Sequence, residues 1–129
     1  MNQGLSITQA ADVTGLTADT LRYYERDGLM LRSVPRATSG HRLYADRDVA
    51  WIQLITKLRS TGMPIRDVRR YADLVRDGDG NEQERLDLLR AHRQVVLARL
   101  AEVQDHLGAI DYKIGLYEAR VHAVQELSA

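Results

Sequence analysis

The chain has no cysteine, no phenylalanine, one tryptophan and two prolines in 129 residues, and its formal net charge is zero. Without cysteine there can be no disulfide framework, no thiolate metal ligand and no thiol redox sensor. A run of about 18 apolar residues is also missing, and the start, MNQGLSITQ, lacks the basic opening and apolar stretch of a secretory signal, so a cytoplasmic protein away from the membrane is expected. Of the four histidines, His41, His92, His106 and His122, the last three are separated by 14 and 16 residues and cannot gather around one ion from a single helix. No Ser-His-Asp grouping, glycine-rich phosphate loop or convergent carboxylate pair is visible. These absences nominate no catalytic residue, cofactor or metal, and an enzyme is not expected.

What is present is divided by sign. Residues 1–76 hold 12 Lys and Arg against 8 Asp and Glu, and residues 77–129 hold 6 against 10, a balance of +4 and then −4. A basic part joined to an acidic one lets a protein meet a polyanion at one end without being cationic throughout. Unevenly charged solvated faces would give the same count, so the motifs must decide.

The local signals describe a mainly α chain. Ser6 and Gln9 have the S-x-x-Q spacing of a capping box, and Ile7, Ala10, Ala11 and Val13 supply an apolar face before Gly15. Thr17 can cap a second short helix that carries Asp19 in its first turn and stops at Gly28. Two short helices with glycine in the turn between them match the helix-turn-helix pattern. Residues 29–44, with Pro35, Ser39 and Gly40 between short apolar runs, read as a small hairpin or wing. Asp46 opens a third helix, with Val49, Ile52, Leu54, Ile55 and Leu58 facing inward, that ends at Gly62. Pro64 suits the first position of a fourth, which turns Ile65, Val68, Tyr71, Ala72 and Val75 inward.

From Glu82 onward a long helix repeats every seven residues. Leu86, Leu89, Arg93, Val96, Leu100, Val103, Leu107, Ile110, Ile114, Tyr117, Val121 and Val124 follow steps of three and four, and all but Arg93 are apolar. Such a repeat marks a coiled coil, and a second copy is the simplest partner. In a parallel pair Arg93 would face its own copy, whereas in an antiparallel pair centred near residue 105 it would meet Tyr117, where a cation–π contact offsets part of its desolvation. The expected division is a winged helix-turn-helix domain at 1–78 and an antiparallel coiled-coil dimerisation helix at 79–129.

The stretch LRYYE at 21–25 sits on the second helix, the one that enters the major groove in helix-turn-helix proteins. Tyr24 shares a face with Leu21 and can pack inward, leaving Arg22 and Tyr23 for phosphate, sugar or base edges. A surface aromatic beside a solvated charge would look the same. The wing tips the balance: Arg36, His41 and Arg42 surround a glycine turn with no acid between Arg32 and Asp46, a composition suited to backbone phosphates. Arg59 near the end of the third helix adds a cation on the same expected side.

On ITQAADVTGLTADTLRYYERDGL, GHRLY, DVAWIQLITKLRSTGMPIRDVRRYADL and the long terminal helix, the chain resembles the MerR family of bacterial transcription regulators over nearly its whole length. The resemblance implies a homodimer joined through an antiparallel coiled coil, bound to double-stranded promoter DNA between the −35 and −10 elements, with RNA polymerase as a further partner. Arg22, Tyr23, Arg42 and Arg59 match positions that touch DNA in the family, and Thr20, Arg36 and His41 join them by the same resemblance. The segment LRSTGMPIRDVRRYADL with GAIDYKIGLYE resembles the subgroup that responds to aldehydes or nitrosative stress, whose members carry a cysteine immediately before LRxTGM. Lys57 stands there instead, so thiol sensing does not carry over. Schiff-base chemistry at Lys57 is the enzyme alternative, and a coiled-coil adaptor that binds protein instead of DNA is the other. Relatives with large ligands carry an added C-terminal domain, and this chain is expected to end soon after its coil. Any effector would act near the junction of the fourth and fifth helices or on the coil, with Trp51, Tyr71, Leu74 and Val75 bordering a small pocket.

Overall fold

In the computed structural model, which describes residues 4–128, five helices follow one another: α1 (Ile7–Thr14), α2 (Ala18–Arg26), α3 (Asp46–Ser60), α4 (Ile65–Arg76) and α5 (Glu82–Ser128). Met1 to Gln3, at the head of the expected 1–78 domain, and Ala129 lie outside the described residues. The chain forms two compact units, Met1–Arg90 and Ala91–Ala129.

In the first unit the ends of the short helices are fixed by side chains. The Ser6 hydroxyl accepts the Gln9 N–H at 3.1 Å and the Gln9 side-chain oxygen accepts the Ser6 N–H at 2.9 Å, which satisfies two of the unpaired donors at the start of α1. Gly15 then takes φ 75, the left-handed cap that ends the helix. Thr17 caps α2 through its hydroxyl, which accepts the Thr20 N–H at 3.1 Å. In α3, Asp48 takes over the capping that Ala45 has no polar side chain to perform: its carboxylate accepts the Ala45 N–H at 2.8 Å. It also holds Arg32 in a two-bond fork at 3.2 and 2.8 Å, so this acid, 4% exposed, is paired on both oxygens.

The core of this unit is drawn from every element. Ala10 of α1, Leu21 and Tyr24 of α2, Leu29 and Tyr44 of the connecting loop, Ile52 and Ile55 of α3, Met63 of the turn, and Val68 and Ala72 of α4 are all buried, with Leu88 and Leu89 of early α5 packed against them. The Trp51 indole donates to the Leu29 carbonyl at 2.7 Å and stacks on Tyr71 with ring centroids 5.6 Å apart, tying α3 to α4 and to the segment after α2.

Several inward assignments made from periodicity are corrected. Val13 is 54% exposed and Leu54 lies on the surface, two residues from Ile52 and so nearly opposite it on the helix. Leu74 is buried in α4, and Pro64 occupies the capping position, one residue before the helix begins. The wing is held by single bridges: among the described residues there is no extended β-strand, only Arg36 paired with Arg42 and Leu5 with Tyr44. Gly40, at φ 88, closes the tip, where its N–H donates to the Ala37 carbonyl. The Leu5–Tyr44 bridge, two backbone bonds of 2.8 Å, anchors the base of the wing beside the start of α1.

In the second unit α5 continues as bare helix. Leu100, Val103, Leu107, Ile110, Ile114, Tyr117, Val121 and Val124 are each about half exposed, an apolar row with nothing from its own unit laid over it.

Candidate nucleic-acid interface

The surface formed by α2 and the wing is built around an acid. Glu25, four residues after Leu21 on α2, directs its carboxylate at the wing. One oxygen accepts the Val34 N–H at 2.8 Å, and the other accepts Nε of Arg42 at 2.7 Å with Nη2 of Arg36 at 3.8 Å. Burial works to raise the pKa of this carboxyl, but the Arg42 hydrogen bond, the Val34 N–H and the charges of Arg42 and Arg36 together outweigh it and hold it below its ordinary value of 4.5. The group therefore stays ionised, and the arginines around it keep a fixed counter-charge.

The candidate residues fall into three sets around that centre. Arg22, Arg36 and Arg42 share one neighbourhood, since all three charges reach the buried Tyr44 hydroxyl. Burial raises the pKa of that phenol, with Arg42 and Glu25 next in influence. Arg22 is half exposed and leans on Asp19 at 2.9 Å. Arg36 also donates to the Gly40 carbonyl at 3.3 Å, and exposed His41 stands at the tip between them. Tyr23 is half-buried, its ring tilted against Tyr24 at 6.1 Å and covered by the Arg26 guanidinium at 5.9 Å. The paired tyrosines thus divide their work: Tyr24 packs in the core, and Tyr23 props the surface.

Two candidates have local duties. The Thr20 hydroxyl accepts from Thr17 at 2.9 Å within the α2 cap. Arg59 donates to the Met63 carbonyl at 2.8 Å and closes the α3–α4 turn. Lys57 is exposed on α3.

Glu25 and Arg26 were not nominated from sequence. The available signal for Glu25 was an acid at the end of LRYYE facing a wing otherwise free of acids. Other cations counted toward the +4 of residues 1–76 are occupied within the fold: Arg32 by Asp48, Arg69 by Asp27 at 3.1 Å, and Arg76 by the Gly28 and Met30 carbonyls. A cavity of about 150 Å³ lies against Leu31, Arg32, Arg47, Asp48 and Trp51, and Trp51 stacks on Tyr71.

A capped pair of short helices, a basic wing clamped to the second of them and a long terminal helix define a helix-turn-helix DNA-binding regulator. Comparison with known proteins gives the family. The profile described as MerR HTH family regulatory protein matches residues 5–74, and the one described as MerR, DNA binding matches residues 49–111; the chain belongs to the MerR family and is a transcription regulator. An HTH-type transcriptional regulator of Haemophilus influenzae is 36% identical over 110 residues, covering 85% of this chain and 81% of the relative. The HTH-type transcriptional regulator AdhR of Bacillus subtilis is 41% identical over 90 residues, covering 70% of this chain and 64% of its own length. Among solved structures, a MerR family regulator from Listeria monocytogenes superposes with a TM-score of 0.85 at 34% identity, covering 95% of this chain and 92% of that one. HiNmlR, described as a MerR family regulator lacking the sensor domain and bound to promoter DNA, superposes with a TM-score of 0.79 at 34% identity over 89% and 90%.

Proposed function

We propose that this protein binds promoter DNA as a homodimer and distorts the duplex between the −35 and −10 elements to control access by RNA polymerase in the cytoplasm. The observation that carries the reading is the Arg22, Arg36 and Arg42 cluster on α2 and its wing, joined in the same chain to a half-exposed apolar row on α5. HiNmlR, similar along about nine-tenths of both chains, is the relative described with promoter DNA bound. In this reading α2 of each copy enters a major groove, with Arg22 and Tyr23 toward the bases and backbone, while Arg36, His41 and Arg42 meet phosphates from the wing. Thr20 and Arg59 add contacts at the margins. The coil runs antiparallel, with pairs summing to 210, so that Leu86 meets Val124, Leu100 meets Ile110, and Arg93 meets Tyr117 of the other copy. Its work is binding, and no bond-making step is assigned to any residue.

Titration with duplex DNA at rising salt tests the reading. The dimer should lose affinity steeply with salt and still favour one sequence over others. Arg22→Ala should weaken binding to the preferred duplex by about 1–3 kcal/mol with relaxed specificity if Arg22 reads a base, or by a sequence-independent amount if it holds phosphate. Weak, sequence-blind binding by the native chain, or an Arg22→Ala protein of undiminished affinity, contradicts the assignment.

A further inference from the structure

Glu25 presents a difficulty for a DNA-reading surface, because a carboxylate beside phosphates repels them. Its geometry explains its presence. The two oxygens are divided between the arms of the wing: Oε2 takes the Val34 N–H on the incoming arm, and Oε1 takes Arg42 Nε on the outgoing one. The side chain is 15% exposed and Arg42's is 20%, so the pair lies at the seam between helix and wing. Among the described residues, Arg42 donates through Nε alone. Neither Nη donates to another described residue, and that edge of the guanidinium keeps its donors for a bidentate anion.

We propose that Glu25 is a positioning residue for DNA recognition: from α2 it fixes the wing and turns the Nη edge of Arg42 outward, so that helix and wing meet the duplex as one surface. The inference rests on the proposed function above and adds to it a residue that touches no DNA. It also fixes the sign of an experiment. If Glu25 were only a surface anion, removing its charge would tighten binding to every duplex. As a positioning residue its loss weakens binding, and because Arg42 meets phosphates it does so on every duplex. Gln at this position has one acceptor oxygen, and it can serve Val34 or Arg42 but not both.

The test uses a duplex selected by the full-length native protein from a randomised pool, and a scrambled duplex of the same length. Glu25→Gln should lose about tenfold in affinity for the selected duplex, the size of coupling expected between directly bonded side chains, and a similar factor on the scrambled one. Arg42→Ala should show a similar loss. The double variant should be no weaker than Arg42→Ala by more than about twofold, because Glu25 acts through Arg42. Glu25→Asp, which keeps the charge at shorter reach, should fall between and serves as the readout if Glu25→Gln does not fold. Circular dichroism establishes that each variant is folded at the titration temperature. The inference is overturned if Glu25→Gln tightens binding or leaves it unchanged, or if the two single losses multiply in the double variant. A native protein that does not separate the two duplexes sinks the proposed function itself; one that does, alongside a Glu25→Gln protein of undiminished affinity, sinks this inference alone.

Discussion

Arginines outnumber lysines heavily in the first 76 residues, eleven to one, and the structure shows why the guanidinium is needed there. Arg32 holds a planar two-bond fork against the Asp48 carboxylate, and Arg76 spreads its guanidinium between Asp73 and the Gly28 and Met30 carbonyls, arrangements a single ammonium cannot reproduce. The Glu25 and Arg42 pairing also sets a pH dependence. Because the folded chain holds Glu25 below 4.5, its ordinary value, the ion pair contributes stability that is complete above that value and is lost as pH falls through the lower folded one. Chemical denaturation of the native protein and of Glu25→Gln should therefore show a gap of about 1–3 kcal/mol near neutral pH, narrowing as pH drops below 4.5. A gap that is constant from pH 7 to pH 3 would mean that the carboxylate charge is not what holds the wing. At this scale the sequence was legible where one residue type has one use. Ser6 with Gln9, Thr17 and Gly15 do what their spacing announces. It was not legible for the Glu25 contacts with the wing or for the Arg32–Asp48 fork, whose partners lie 9 to 17 residues apart and become neighbours only after the loop folds back.

Elements followed from the sequence where local signals and burial agreed, as they do for α1, α2, α3 and α4. The errors fell at the flanks of faces: Val13 and Leu54 are apolar by type, yet periodicity gives a stripe whose width depends on what packs against it. The wing defeated strand signals for a different reason. With one bridge at Arg36 and Arg42 it is too short for a ladder, and its shape comes from the Ala37–Gly40 turn, the Leu5–Tyr44 anchor and the Glu25 clamp. For α5 the seven-residue repeat was plain, and the apolar row it describes stays about half exposed in a single chain. Placing a charge in that row tests what the row is for. Ile110→Glu should leave the first unit folded while weakening self-association by at least ~3 kcal/mol per chain, because each copy would bury a carboxylate against Leu100 of the other. Analytical ultracentrifugation over a concentration series reads this directly, and an unchanged dimer would place the association elsewhere.

At the scale of the whole molecule, the charge split acquires a physical sense. The +4 of residues 1–76 overstates the cations free for a polyanion, since Arg32, Arg69 and Arg76 are spent within the fold, while the −4 of residues 77–129 lies on α5 and the turn before it. What remains for DNA is a small cluster, too few contacts in one copy for tight binding at physiological salt, so the account needs two copies on one duplex. The most direct measurement is sedimentation of the intact protein with a duplex selected by it, at several salt concentrations. Two chains per duplex, with affinity falling steeply as salt rises, is the predicted result; one chain per duplex, or a dimer that leaves the selected duplex unbound, would contradict the account.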